Sequence, residues 1–123
     1  ASSAGLFPAG PYMATYYATK SYVTSLTRAV ALELKEKKSN VYVGVLCPGP
    51  VDTEFNKVAN VEFAIPSITP TYCAAYAIRK MEKRKIVIVP KNKMKVLAFI
   101  SRVLPQSLVI RMTARQQKKK RSW

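Results

Sequence analysis

The sequence predicts an α/β fold, a parallel sheet covered by helices, from three observations. Two short runs, Val41–Cys47 and Lys85–Pro90, are rich in Val and Ile and have the composition of strands buried on both faces. A stretch of about 26 residues ahead of the first run holds no Gly or Pro and spaces its apolar residues helically. A second helical pattern separates the two runs, so the strands are joined by a crossover, as in a β-α-β unit.

In chain order, Ser2 and Ser3 enter a loop over Ala4–Pro11, where Gly5, Pro8, Gly10 and Pro11 discourage regular structure. A long helix follows from about Tyr12 to Lys37. Val23, Leu26, Ala29, Val30, Leu32 and Leu34 give its apolar spacing, and Pro11 suits its first turn. Lys35, Lys37 and Lys38 suit the negative end of its dipole. Ser39 and Asn40 break it before the strand at 41–47, which Pro48 and Gly49 end. Residues 53–68 lack a period and read as a loop with a turn of helix. Thr69 can cap a second helix, with Pro70 at its first position, running to about Arg84. After the strand at 85–90, Val96, Leu97, Ile100, Val103 and Leu104 form an apolar stripe that Leu108, Val109 and Met112 continue past Pro105. The closing QQKKKRSW reads as a solvated tail.

Composition bounds the function. With 123 residues and 49% hydrophobic content the chain suits one core-forming domain. It opens on Ala1–Gly5 without an initiating Met or a signal-like segment, so it is expected to be part of a longer protein. Cys47 and Cys73 have no metal-ligand spacing and the chain has no histidine, which argues against a metal site. Free buried thiols in a reducing cytoplasm are the expectation, with a disulfide between them the open alternative.

The net charge of +15 is uneven: residues 1–66 hold six Lys/Arg against five Asp/Glu, and residues 67–123 hold fifteen against one. The basic residues are not interleaved with a stacking platform, which argues against nucleic acid as the partner. Segment 94–112 is long enough to span a bilayer, but Lys95, Arg102, Gln106 and Arg111 interrupt it and Pro105 breaks it. An amphipathic pair, packed on the domain or lying on a membrane surface through 94–121, is expected instead. A non-catalytic role, in which the basic half binds an anionic membrane or an acidic partner, is therefore the alternative to an enzyme.

Chemistry concentrates near the start. Tyr16 and Lys20 lie four apart in the long helix, on one face, with Cβ atoms roughly 5–6 Å apart. A free tyrosine titrates near pH 10, so proton exchange near neutrality requires lowering it by about three units, about 4 kcal/mol. A fixed ammonium supplies that help. Tyr-x-x-x-Lys alone is a weak signal, since both residues are common on helix surfaces. Ser3 stands thirteen residues ahead of Tyr16, and Cys47-Pro48-Gly49-Pro50-Val51-Asp52-Thr53 follows the first strand.

With Ser, Tyr-x-x-x-Lys and a strand-ending Pro-Gly-x-Val-x-Thr in this order and spacing, the chain resembles the short-chain dehydrogenase/reductase family over residues 1 to about 90. The resemblance implies the C-terminal half of a Rossmann-like, doubly wound parallel sheet, with 1–90 the catalytic half and 91–123 a basic amphipathic extension. It implies Tyr16 as acid/base, Lys20 as the ammonium that assists it and holds the nicotinamide ribose, and Ser3 as a hydrogen-bond donor to the substrate oxygen. Pro48 and Gly49 would turn under the nicotinamide, while the Val51 backbone and Thr53 hydroxyl would bind its carboxamide. Tyr12, Tyr17 and Tyr22 are expected to pack or line a pocket.

LFPAGPYMATYYATKSYVTSL and CPGPVDTEF look most like bacterial 3-ketoacyl and hydroxysteroid reductases, which implies NADP, rather than NAD, and a small apolar carbonyl or alcohol substrate. The apolar Phe55, Val58, Val61, Phe63, Ala64 and Ile65 fall where such relatives shape the substrate pocket. The family's long helix commonly pairs between subunits, which implies a homo-oligomer. The family's Gly-rich phosphate loop lies upstream of its Ser, and none of the four glycines here forms one. Larger relatives that epimerise or dehydrate share Tyr-x-x-x-Lys, but the Pro-Gly-Pro-Val-Asp-Thr stretch favours the reductases.

Overall fold

The computed structural model describes residues 1–52 and 66–121. Within the expected opening loop, Ser3–Leu6 forms one 3₁₀ turn, started by Ser2, whose hydroxyl oxygen accepts the Ala4 N–H at 3.2 Å. The long helix, α1 (Ala14–Glu36), begins later than its apolar pattern suggests. Tyr12 adopts a left-handed φ of 69° and the Met13 N–H bonds the Gly10 carbonyl at 3.0 Å, so Pro11 belongs to a preceding turn and not to the helix.

The end of α1 is set by backbone geometry as much as by charge. Lys38 takes a φ of 54°, its N–H bonds the Lys35 carbonyl at 3.0 Å, and the Ser39 N–H bonds Leu34 at 2.9 Å. That pair of bonds is a Schellman closure, which satisfies carbonyls a helix end leaves open.

Strand β1 (Val45–Leu46) and strand β2 (Val87–Ile88) pair in parallel, with Val45 opposite Val87 and Leu46 opposite Ile88. Helix α2 (Pro70–Glu82) lies in the crossover between them, so the β-α-β reading and its parallel sense agree with the structure. The strands are much shorter than 41–47 and 85–90. At Val41 the N–H turns to the Ser39 hydroxyl at 3.1 Å, and the Tyr42 hydroxyl donates to the Lys85 carbonyl. The ladder itself runs through the Ile86 and Ile88 carbonyls, which accept the Val45 and Cys47 N–H groups at 2.7 and 2.8 Å. Past Ile88, Pro90 has no N–H to extend β2.

Thr69 caps α2 as its sequence predicts, its hydroxyl oxygen accepting the Tyr72 N–H at 3.1 Å, with Pro70 at the first position. At the other end Arg84, at φ 56°, repeats the closure of α1: its N–H bonds Met81 at 2.8 Å and that of Lys85 bonds Lys80 at 3.1 Å. Helix α3 (Asn92–Val103) and helix α4 (Gln106–Arg121) flank Pro105. The solvated tail expected from 116 onward is corrected at its start: α4 continues through Arg121 and Gln117 is only 2% exposed, while Lys118 is exposed.

The core sits at the carboxyl end of the strands. Val45, Cys47, Val89 and Met94 form it, with Leu6 and Phe7 packed against it. Thr24 joins α1 to β1, its hydroxyl bonded to the Lys20 carbonyl at 2.9 Å and lying 3.8 Å from the Cys47 sulfur. Among the described residues no helix is long and apolar enough to cross a membrane.

Candidate active site

Three segments meet beyond the carboxyl end of β1. The Ser3 N–H bonds the Pro48 carbonyl at 2.8 Å, which docks the 3₁₀ turn on the Pro48-Gly49-Pro50 bend. The same turn lies directly on α1 at the level of Lys20. A Cβ on Gly5 would fall 2.6 Å from the Lys20 carbonyl oxygen and 2.5 Å from the Thr24 hydroxyl oxygen, so only glycine permits that approach. Ser3 is thereby held between the bend and the Tyr-x-x-x-Lys turn.

Tyr16 and Lys20 are brought together, with the Lys20 ammonium nitrogen 5.3 Å from the centre of the Tyr16 ring. A cation over an aromatic face is attracted by the ring's quadrupole. Tyr16 is 40% exposed, and its ring stands edge-on to that of Tyr17 at a centroid separation of 6.3 Å.

Its neighbour turns the other way. Tyr17 is buried, its ring against the backbone of Gly10, where a Cβ would come within 2.1 Å of the ring. Burial pushes the Tyr17 hydroxyl above the ordinary tyrosine value, while the Gln117 side chain, donating through Nε2 at 2.6 Å, pulls it the other way and Tyr16 adds a smaller upward push. Burial likewise pushes the Cys47 thiol up, opposed by its contact with Thr24. Cys73 is raised by burial too, and both thiols are free.

Ser3 and Tyr17 line a cavity of about 160 Å³ with Pro50, and its far wall is built by α3 and α4 through Met94, Val109 and Gln117. Tyr17 thus has the pocket-lining place expected of it. Tyr16 is not among the lining residues.

The strand-ending motif is described as far as Asp52. Val51 and Ile68 form a parallel bridge, with the Asp52 N–H on the Ile68 carbonyl at 2.8 Å and the Ile68 N–H on the Pro50 carbonyl at 3.0 Å. The Pro-Gly-Pro bend is therefore pinned on both sides. Thr53 and the apolar residues 55–65 assigned to the pocket lie outside the described residues.

Sequence reasoning missed the C-terminal wall, Gln117 above all. Its signal was a four-residue step, Val109, Thr113 and Gln117, extending the apolar stripe into a segment dominated by its lysines. Among the described residues no group of His, Cys, Asp or Glu could hold a metal ion.

The family model for short chain dehydrogenases matches residues 1–62, a span that takes in Ser3, Tyr16, Lys20 and the whole Pro48–Thr53 stretch. The chain belongs to the short-chain dehydrogenase family. A search of curated proteins found no match. Membership gives the two-strand parallel unit its context, a Rossmann-like fold, and places the chain among NAD(P)-dependent oxidoreductases. Lys20, half-buried, carries three donors and Tyr16 is 40% exposed, while Ser3 is held on the bend at the carboxyl end of β1.

Proposed function

We propose that the intact protein reduces an apolar ketone to the alcohol with NADPH, using Ser3, Tyr16 and Lys20, and that a segment preceding these residues binds the cofactor's phosphates. The observation that carries this reading is the docking of Ser3 on the Pro48 carbonyl beside the turn of α1 where Lys20 lies over Tyr16. Bound nicotinamide supplies the hydride for the carbonyl carbon. Tyr16 gives its hydroxyl proton to the carbonyl oxygen, and the Lys20 ammonium stabilises the phenolate that remains. Ser3 donates a hydrogen bond to the same oxygen, which holds the carbonyl in line for attack. Pro48, Gly49, Val51 and Thr53 are the candidate contacts for the carboxamide side of the ring. The choice of NADPH and of a ketone is supported by the resemblance of residues 6–26 and 47–55 to ketoacyl and hydroxysteroid reductases.

The test is oxidation of NADPH and NADH by the intact protein across a panel of apolar ketones and 3-ketoacyl thioesters, beside Tyr16→Phe. Loss of a general acid costs about 10²- to 10⁴-fold, so the variant is expected to lose at least about a hundredfold in kcat while still binding cofactor. A Tyr16→Phe enzyme with unchanged kcat would remove Tyr16 from the reaction.

A further inference from the structure

Helix α3 has two apolar faces, and the fold covers only one. Met94 and Ser101 are buried against the domain, and Leu97 and Ile100 line the cavity beside them. On the opposite side Val96, Phe99 and Val103 follow one another at steps of three and four residues and all face outward, with Phe99 68% exposed. The outward face of a surface helix is ordinarily its polar one. Here the charged residues stand at the flanks of that face instead: by helical period Lys95 and Arg102 border it on one side and Lys93 on the other, all three exposed.

Charge decides what covers this face. Residues 92–121 hold nine Lys/Arg and no Asp or Glu. A second copy of the chain would set these cations against themselves, whereas an anionic surface complements them. The Lys95 flank carries a second basic cluster, reaching α2. Lys95 donates to the hydroxyl of the buried Tyr76 at 2.7 Å, and Arg79 Cζ, Lys80 Nζ and Lys95 Nζ each lie 5.4 Å from the centre of that ring. Glu82 is the only acidic residue in 67–123, so the cluster is short of negative charge. Three cations around one ring repel one another, and an anion placed among them relieves that repulsion.

We propose that α3 docks on an anionic phospholipid membrane. Val96, Phe99 and Val103 enter the boundary between headgroups and acyl chains, and Lys95, Arg79 and Lys80 receive a lipid phosphate. The contact is peripheral: the 12 residues of α3 are too few to span a bilayer, and an apolar face flanked by Lys and Arg lies in the membrane plane. This assignment does not depend on the reductase reading.

Co-sedimentation of the intact protein with vesicles of phosphatidylcholine, with and without phosphatidylserine, tests it. The wild type is expected to bind the anionic vesicles and to be released as salt is raised. Phe99→Ala should weaken binding about tenfold, and Lys95→Gln and Arg102→Gln about fivefold each, with melting unchanged. Val103→Ser serves if the Phe99 variant does not melt cooperatively. Phe99→Trp should bind like the wild type, and its added fluorescence should be quenched by lipid brominated in its acyl chains. Equal binding to both kinds of vesicle, binding unchanged in folded Phe99→Ala or Arg102→Gln, or a Phe99→Trp signal that the brominated lipid leaves alone would each overturn the proposal. A wild type that ignores anionic vesicles would overturn it too, and self-association that Phe99→Ala weakens would then assign the face to a second copy.

Discussion

Gly5 governs the position of Ser3 through atoms that cannot yield. Its virtual Cβ meets a main-chain carbonyl of α1 at Lys20, and the Thr24 hydroxyl beside it is tied to that same carbonyl. In Gly5→Ala the 3₁₀ turn must lift off the helix, and Ser3 must leave the Pro48 carbonyl with it. Overpacking of this kind typically costs about 1–3 kcal/mol, and misplacement of a positioning group by about 1 Å can cost up to 10²-fold in rate. The expected result is a lower melting temperature with kcat reduced about tenfold or more and KM changed little; a variant that melts lower but keeps full kcat would show that the turn does not position Ser3. Tyr17 makes a separate prediction about pH. Its folded pKa is raised by burial, so the native state holds this proton more tightly than the unfolded chain. Its contribution to stability is fully present below the ordinary value of about 10 and is lost as pH rises through the raised folded value. In an ultraviolet titration Tyr17 should therefore ionise above the ordinary tyrosine value, and Tyr17→Phe should flatten the fall of stability above about pH 10. A wild-type stability that does not fall further over that range than the variant's would contradict it.

The elements separate what local rules announce from what only the folded chain reveals. Thr69-Pro70 announces the start of α2, because a hydroxyl cap and a donor-free first residue act within three residues of sequence. Pro105 likewise marks the break between α3 and α4. The ends of α1 and α2 fall within two residues of where the sequence places them, but the form of their closure was hidden, because both close through left-handed residues that are not glycine, Lys38 and Arg84. Strand lengths were hidden too: Val41–Gly44 has strand composition, yet the Val41 N–H turns back to the Ser39 hydroxyl. The pattern of Ser3, Tyr16 and Lys20 stands out because it is a matter of fixed spacing, whereas Gln117 was masked by a run of lysines and meets Tyr17 across a hundred residues. The two left-handed residues also differ in their use. Arg84 donates to the Asn40 carbonyl at 3.1 Å and lies over the Tyr42 ring, whereas Lys38 is an exposed side chain at a helix end. Removing its Cβ relieves left-handed strain, so Lys38→Gly should stabilise by about 0.5–1 kcal/mol. Arg84→Gly removes bonds as it relieves strain and should gain less or lose. Urea denaturation of the two variants measures both, and a destabilised Lys38→Gly would mean that its side chain does more at the helix end than the closure suggests.

At the scale of the molecule, the described sheet is two residues deep on two strands, and a two-stranded unit of this kind is marginal on its own. Around it, large apolar side chains face outward: on α1 Tyr22 is 68% exposed and Leu32 57%, and Val41 beyond the helix is 64%. Those surfaces, and the strand edge beside β1, are what a larger Rossmann-like sheet would cover, so stability should belong to the intact protein and not to these residues alone. Cys47 reports on the difference. It is 0% exposed, wedged between Thr24 of α1 and the core residues of the sheet, and burial raises its pKa, so its thiol is both shielded and protonated at neutral pH. Attack by a disulfide reagent needs an exposed thiolate, and here that requires α1 to leave the sheet. In the intact protein Cys47 should therefore label only at the rate of global opening, with a cooperative melt. In the excised 123 residues it should label about as fast as in denaturant, with a broad melt and strong binding of a hydrophobic dye. A sharp melt with slow Cys47 labelling in the excised chain would mean that the helices and this short sheet suffice, and that the outward apolar faces have some purpose other than joining a larger sheet.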